Sequence, residues 1–442
     1  MKKQSFRIVQ ILVGLVFTTL LQAQNVVTTN EAISLALDNN YGIKIANNLI
    51  EEAENNTNIL NSGFLPSLTG NAGAVYNKDS GRTEFNNDFD PRIISGAESS
   101  RYNANINLNY TIFDGLGRYY NYKTLKETYN LTEIQARETI ENTIVQLLTV
   151  YYDVARRSEN FGSLQTTLDI SKDRLTRASY QFDYGQNTKL DVLNAEVDVN
   201  NDSINVINMR QSLVNAKRDL NFVTGNTISN IFEVDTDIDF LLTLNKDDLL
   251  EKLKQNNVNL IQVEKNIQIN EFTIKANKSG YLPSIGLTGT YGWNESNNNL
   301  ASIVGFTTNT GVSAGINLTW NLFDGGGTIT RVKNAQIALE NQKLQKEQLI
   351  LSVVRDFENA WDDYQNKLTI FRVQQDNIRT AINNFQRTEE QFKLGQVTSI
   401  EFRQAQLNLL SAELNTNQAK YDAKLAEIVV LQLSGELLNS AF

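Results

Sequence analysis

Cysteine and histidine are both absent from the 442 residues. Their absence removes disulfides, thiol and imidazole nucleophiles, Cys/His metal centres and the Ser/His/Asp hydrolase arrangement together. It also removes a lipid-anchored N-terminal cysteine. Carboxylate-only catalysis survives that cut, but no pair of acids marks a cleft, so no enzyme and no cofactor is expected. Proline is nearly missing as well: Pro66, Pro91 and Pro283 are the only three. Such scarcity permits very long uninterrupted helices. Positive charge is outweighed, with 40 Lys plus Arg against 50 Asp plus Glu. Three of the 40 (Lys2, Lys3 and Arg7) fall in the first 23 residues, which leaves 37 basic against 50 acidic residues. No basic patch stands out, and no nucleic-acid partner is expected, because phosphate binding requires one. Past residue 25 no apolar run reaches the length of a transmembrane helix.

Residues 1–23, MKKQSFRIVQILVGLVFTTLLQA, join a basic start to an apolar run from Ile8 to Leu21 and a small Ala23. A run of about 14 residues is too short to span a bilayer. The pattern predicts a cleaved export signal, with the processed chain beginning near Gln24.

The remainder is built twice. FLPSLTGNAGAVY (Phe64 to Tyr76) matches YLPSIGLTGTYGW (Tyr281 to Trp293) at an offset of 217. NINLNYTIFDG (Asn105 to Gly115) matches GINLTWNLFDG (Gly315 to Gly325) at 210, and FDYGQNTKL (Phe182 to Leu190) matches FKLGQVTSI (Phe392 to Ile400) at the same 210. Gly225 and Gly435 close the halves at that offset too, as helix C-caps. The first repeat covers 24–225 and the second 246–435. An acidic segment, 226–245, links them as a linker or as a belt around the helices, and 436–442 form a tail.

Each repeat reads as a moderate helix, two strands, a very long helix, a tight turn and a returning helix. The moderate helices run from Asn30, an acceptable N-cap, to about Gly63, and from Lys246 to about Gly280. Strands are expected near 66–76, 103–113, 283–293 and 312–323. Ala104, Ile106, Leu108, Tyr110 and Ile112 alternate with Asn105, Asn107, Asn109 and Thr111. Ala314, Ile316, Leu318, Trp320 and Leu322 repeat the pattern. This period of two marks a sheet with one apolar and one wet face. The wet face is small and uncharged, as suits a channel lining. The lengths suit a tilted membrane strand, and Tyr76, Phe113, Trp293 and Phe323 at the strand ends form an aromatic girdle. Segments 77–99 and 294–310 read as exposed loops. Four strands cannot close a membrane barrel. Either several copies close one together, three giving twelve strands, or these are not membrane strands.

The helix from about Leu116 to Phe182 measures roughly 100 Å at 1.5 Å per residue. Its apolar positions, Ile140, Ile144, Leu147, Tyr151, Val154, Phe161, Leu168, Leu175 and Phe182, step by three and four like a coiled-coil seam. The second repeat keeps the seam through Ile350, Phe357, Tyr364, Phe371 and Phe385. Returning helices are expected over Lys189 to about Val223 and Ser399 to about Leu433. Rods of this length need neighbours.

The export signal, the duplicated halves, the FLPS/YLPS strand entries, the FDG strand-to-helix turns (Asp114, Gly115, Asp324 and Gly325) and the GQxT hairpin tips together resemble the TolC family of outer-membrane efflux proteins. The resemblance spans essentially the whole processed chain. It implies a mixed α/β membrane protein, in which long α-helical coiled-coil hairpins form a periplasmic tunnel. Each chain gives four β-strands to the twelve-stranded transmembrane β-barrel of a homotrimer set in outer-membrane lipid. It further implies a passive exit duct for a tripartite efflux or type I secretion system, docked through a periplasmic adaptor protein to an inner-membrane transporter. Gly185, Gln186, Thr188, Gly395, Gln396 and Thr398 are then the adaptor-facing tips. Mapped by the tip glycines, Asp191 and Glu401 fall where the family carries acidic rings at a periplasmic constriction, while Asn194 and Gln404 stand where a further acid is found. Without the resemblance, each acid is explained as a first-turn residue favouring the helix dipole. A competing function is a periplasmic coiled-coil structural or adhesive spacer without a pore.

Overall fold

In the computed structural model the chain passes twice through one order of elements. Described are residues 26–440, apart from residues 85, 88, 227, 229–231, 242–243 and 300–301. The export signal expected over residues 1–23 and the last two residues of the tail lie outside them. The first pass holds β1 (Val26–Val27), α1 (Thr29–Asn39), α2 (Tyr41–Asn56), β2 (Ser67–Thr83), β3 (Arg92–Phe113), α3 (Gly117–Asp183) and α4 (Lys189–Val223). The second holds β4 (Glu233–Val234), α5 (Lys246–Asn256), α6 (Val258–Lys278), β5 (Ser284–Asn297), β6 (Phe306–Thr319), α7 (Gly327–Lys393) and α8 (Ser399–Ser434). Both α3 and α7 have 67 residues. No described helix is long and apolar enough to cross a membrane.

The chain divides into two compact units that cut across the repeats. One holds residues up to 48, 134–262 and 347–442, and the other holds 49–133 and 263–346.

The first unit is helical, and its core is the coiled-coil seam. Leu147, Tyr151 and Val154 of α3 are fully buried with Leu220 of α4 and Ile428 of α8. A second cluster joins Leu253 of α5 to Phe357 and Tyr364 of α7 and Val430 of α8. β1 pairs in parallel with β4. The Tyr151 hydroxyl seals that pairing, donating to the Val27 carbonyl at 2.8 Å and accepting from the Asp235 amide at 3.1 Å.

Between the repeats, residues 232–241 lie along α4 and α8. The Phe232, Thr236 and Asp239 carbonyls accept from Lys217, Lys420 and Lys424 respectively. Lys424 and Glu427 form a pair 2.7 Å apart with side chains only 2% and 0% exposed. Glu427 also accepts from the Leu241 amide. Burial beside Glu427 pushes the Tyr364 hydroxyl up to about 12.

The moderate helices are not single pieces. Each is interrupted at an asparagine, Asn40 and Asn257, whose backbone is extended (ψ 129° and 121°). The Asn40 side chain accepts from the Gly42 amide and donates to the Val223 carbonyl at 2.8 Å. Asn257 accepts from Asn259 and donates to Leu433 at 3.0 Å. One side chain thus caps a new helix and satisfies a terminal carbonyl of the returning one. The N-cap of α1 is Thr28, accepting from the Glu31 amide, rather than Asn30. Leu437 in the tail is buried.

The second unit carries a four-stranded antiparallel sheet in the order β2-β3-β5-β6. Its strands have 17, 22, 14 and 14 residues. β2, β3 and β5 run well into the segments expected as loops, because Asn, Ser and Asp there stay in register with cross-strand partners (Asn77 with Ser99, Asn297 with Phe306). β6 is displaced rather than shortened: it begins at Phe306, inside the segment expected as a loop, and stops at Thr319. Trp320, Leu322 and Phe323 therefore leave the ladder, and Phe323 takes no place at a strand end.

Candidate functional site

Two regions carry the residues singled out by the sequence, one in each unit.

In the sheet, period-two alternation gives two chemically distinct faces. Registers Leu68–Leu108, Ile106–Tyr291, Ala104–Trp293 and Leu287–Ile316 collect the apolar side chains on one face. Those side chains stay exposed, Leu68 at 69% and Ile316 at 70%. An apolar sheet face of this extent is a surface for lipid or another chain, not for water. The opposite face gathers Asn71, Asn105, Asn107, Thr288, Thr290 and Ser313. Its side chains bond along and across strands: Asn105 of β3 accepts through its side-chain oxygen from Asn107 on the same strand at 2.9 Å and from Asn71 of β2 at 3.2 Å, and Thr290 of β5 donates to the Asn107 side-chain oxygen at 2.9 Å. This face is polar without charge through most of its length.

Tyr76 and Trp293 lie on the apolar face, in register with Ser100 and Ala104. Phe113 reaches the same face through a bulge between Thr111 and Phe113, which sets it opposite Ile285. Beyond the strand ends, Asp114 and Asp324 start the long helices. Asp114 accepts from the Arg118 amide at 2.9 Å, and Asp324 accepts from the Thr328 amide at 2.8 Å and its hydroxyl at 2.6 Å. The Thr328 hydroxyl and amide hold the Asp324 carboxyl below the usual carboxylate range. Gly115 (φ +68°) has a second constraint, since a Cβ there would lie 2.7 Å from the Ser279 carbonyl oxygen.

In the helical unit, the two GQxT sequences fold identically. Gly185 (φ +71°) and Gly395 (φ +74°) turn the chain. Their own amides reach Phe182 and Phe392, and the Gln186 and Gln396 amides reach back to Gln181 and Gln391. That is a Schellman termination, and it needs glycine at the left-handed position. Two residues later Thr188 and Thr398 open α4 and α8 with capping boxes closed by Asp191 and Glu401. Asp191 accepts from the Thr188 hydroxyl at 2.5 Å, and Glu401 from the Thr398 amide at 2.7 Å and hydroxyl at 2.9 Å. The Thr398 amide and hydroxyl hold the Glu401 carboxyl below the usual range. Both acids thus carry the N-terminal role that their position predicts. At both turns a large apolar side chain precedes the glycine and stays exposed, Tyr184 at 81% and Leu394 at 72%.

Asp191, Asn194 and Gln404 line one groove of about 350 Å³, beside Arg174, Asp198 and Arg403; Glu401 does not line it. Arg174, Asp198 and Arg403 in the groove wall belong to an ionic cluster that no periodicity singled out. Arg403 of α8 pairs with Asp202 and Asp198 of α4, and Arg174 of α3 pairs with Asp198. Ser171 donates to Asp202 at 2.6 Å, and Gln406 donates to the Thr167 carbonyl at 2.8 Å. The signal in the sequence was an Asp pair at i, i+4, Asp198 and Asp202, set among apolar positions of a seam helix. Among the described residues no cluster of three acids is placed to hold a metal ion.

A family model described as "Outer membrane efflux protein" matches residues 32–226 and 249–436. The outer membrane protein TolC of Vibrio cholerae is 24% identical over 379 residues, covering 85% of this chain and 83% of that protein. The outer membrane efflux protein BepC of Brucella suis is 22% identical over 413 residues, covering 93% and 86%. Among solved structures, the CmeC outer membrane channel of Campylobacter jejuni superposes with a TM-score of 0.73 at 17% identity, covering 92% of this chain and 86% of that one.

Proposed function

The chain belongs to the outer membrane efflux protein family, and from that premise we propose that three copies close one twelve-stranded barrel to form the exit duct of a tripartite efflux or type I secretion assembly. Membership makes it a passive outer-membrane channel, not an enzyme, with its helical part in the periplasm. A pore-free spacer is set aside with it.

The observation that carries the duct is the two-faced sheet with open edges. β2 and β6 each have one partner. Backbone amides and carbonyls on a free edge cannot be left in hydrocarbon, so the sheet must close on other copies. The apolar face then meets lipid and the Asn/Thr face lines the water-filled lumen. Exposed apolar residues on α4, among them Val197, Ile204 and Ile207, give the helices a surface to bury in the same assembly.

The adaptor protein, carrying the link to an inner-membrane transporter, docks at the hairpin tips. Gly185, Gln186, Thr188, Gly395, Gln396 and Thr398 present them, and exposed Tyr184 and Leu394 supply the apolar contact. Asp191 and Glu401 form the periplasmic constriction, where three-fold symmetry sets like charges around the axis and draws cations to it. Single-channel conductance of detergent-purified protein, wild type beside Asp191→Ser plus Glu401→Ser, tests both levels. A small steady conductance that rises in the double variant supports duct and constriction. An unchanged conductance leaves the acids as helix caps alone, and no conductance from either protein overturns the duct.

A further inference from the structure

The charged residues of the four strands are few: Lys78, Asp79 and Arg82 on β2, Arg92, Glu98 and Arg101 on β3, and Glu295 on β5. Register sorts them by face. Lys78 and Glu98 are cross-strand partners on the apolar side, where they form an ion pair at 3.0 Å beside Tyr76, and Glu295 shares that side opposite Tyr102. Arg101 has the opposite parity. Its row reads Val75, Arg101, Ser296 and Thr307, and the adjoining row on that face reads Gly73, Asn103, Asn294 and Asn309. Within the regular ladder Asp79 is the other charge on the polar face, four residues beyond Val75 and against the bulge that ends the ladder. At about 3.3 Å per residue it is roughly 13 Å further out.

Arg101 is exposed, and its guanidinium makes no ion pair or hydrogen bond among the described residues. The wall around it is cleared. Its counterpart in the second repeat, at the 210 offset, is Gly311, where a Cβ would meet nothing within 4 Å. Gly73 and Gly292 lie on the same face nearby. Duplication therefore leaves one arginine per chain.

We propose that Arg101 is a selectivity residue, one of three guanidinium groups that ring the outer part of the barrel and favour anions, including carboxylate- and phosphate-bearing solutes, over cations. This rests on the trimeric duct proposed above. Twelve strands about 4.8 Å apart and tilted by about 40° close a cylinder about 24 Å across between backbones. Side chains narrow it further, so the axis lies within about one screening length, ~10 Å at 0.1 M salt, of each guanidinium. Three like charges at that range, with no acid in their row, shift local ion concentrations by roughly threefold. Hydrogen-bonded Asn and Thr side chains below them add no compensating charge.

The test is the reversal potential of purified trimers in a planar bilayer under a KCl gradient near 0.1 M. Wild type is compared with Arg101→Gln, Arg101→Glu and Arg101→Lys, each also in an Asp191→Ser plus Glu401→Ser background, since the tunnel acids stand in series. The K⁺/Cl⁻ permeability ratio rises by roughly threefold in Arg101→Gln, rises further in Arg101→Glu and stays near wild type in Arg101→Lys. Conducting variants with unchanged ratios in both backgrounds overturn the proposal and leave the duct standing. A wild-type protein that forms no pore overturns the duct, and this inference with it. A check needing no Arg101 variant is salt: in the Asp191→Ser plus Glu401→Ser background, raising it to 1 M, where screening falls to about 3 Å, raises the K⁺/Cl⁻ ratio. A ratio that does not rise also counts against the ring.

Discussion

Arg403 holds Asp202 by both terminal nitrogens, each 2.8 Å from its own carboxylate oxygen. The pair ties the returning helix of the second repeat to that of the first, and the Asp202 side chain is only 4% exposed. Removing one partner of such a buried pair leaves the other charge without compensation. Arg403→Met is expected to destabilise the helical unit by about 3–5 kcal/mol. Replacing both partners, Arg403→Met with Asp202→Leu, restores most of that loss, because two well-packed apolar groups need no solvation. Urea unfolding of single and double variants checks it, and equal losses in both would contradict it.

The hairpin tips are held by caps on two threonines. Thr188→Ala and Thr398→Ala are each expected to cost about 1 kcal/mol, seen as faster amide hydrogen exchange over the first turns of α4 and α8. The second cap also carries a pH signature. The Glu401 carboxyl titrates below its ordinary 4.5 in the folded chain, so its contribution is complete above that value and disappears as pH falls through the lowered one. Protection at residues 398–401, measured against the unprotected exchange rate at each pH, should fall over that acid window in wild type, and Glu401→Gln should flatten the dependence.

Glycines with similar backbone angles predict different costs. Gly395 and Gly435 both sit at φ +74°, but a methyl group on Gly395 meets nothing within 4 Å, whereas on Gly435 it lies 2.6 Å from the Asn256 carbonyl oxygen. Gly395→Ala therefore carries only the left-handed penalty of about 1–2 kcal/mol. Gly435→Ala adds a backbone collision and is expected to lower the yield of folded protein and the melting temperature well beyond that. Gly225, 2.6 Å from Asn39, should behave as Gly435 does. Thermal unfolding of the three variants ranks them.

Lys424→Met should release the segment between the repeats. The substitution deprives Glu427 of its cation and the Asp239 carbonyl of its donor. The buried acid left behind costs about 3–5 kcal/mol. Limited proteolysis reads the effect directly, as new cleavage within residues 235–241 where wild type resists.

Much of this architecture is legible in the sequence, wherever a local rule decides. Alternation from Ala104 to Tyr110 identifies the two sheet faces, because side chains on a strand have only two directions. The GQxT tips are legible because a left-handed turn followed by a cap needs those residue types. The breaks at Asn40 and Asn257 are not, since asparagine is nearly neutral in a helix interior and only its partners, Val223 and Leu433, reveal its job. Asn77 and Ser99 look like loop residues for a related reason: composition suggests a turn, while the ladder they extend is set by their neighbours. Of the cluster of Arg403, Asp202, Asp198 and Arg174 only the two aspartates on one seam helix leave a mark in the sequence, because their cations come from two other helices, one in each repeat, at separations no periodicity spans.

The open edges of β2 and β6 also bear on inheritance and expression. In the proposed trimer, a sheet that closes only through identical neighbours makes each chain hostage to two others. A copy whose β6 edge is spoiled, for instance by a proline at Gly311, would still offer a sound β2 to a normal chain and then fail to complete the circle. Co-expressed with wild type, such a copy would withdraw sound chains into dead assemblies, and the defect would be dominant rather than recessive.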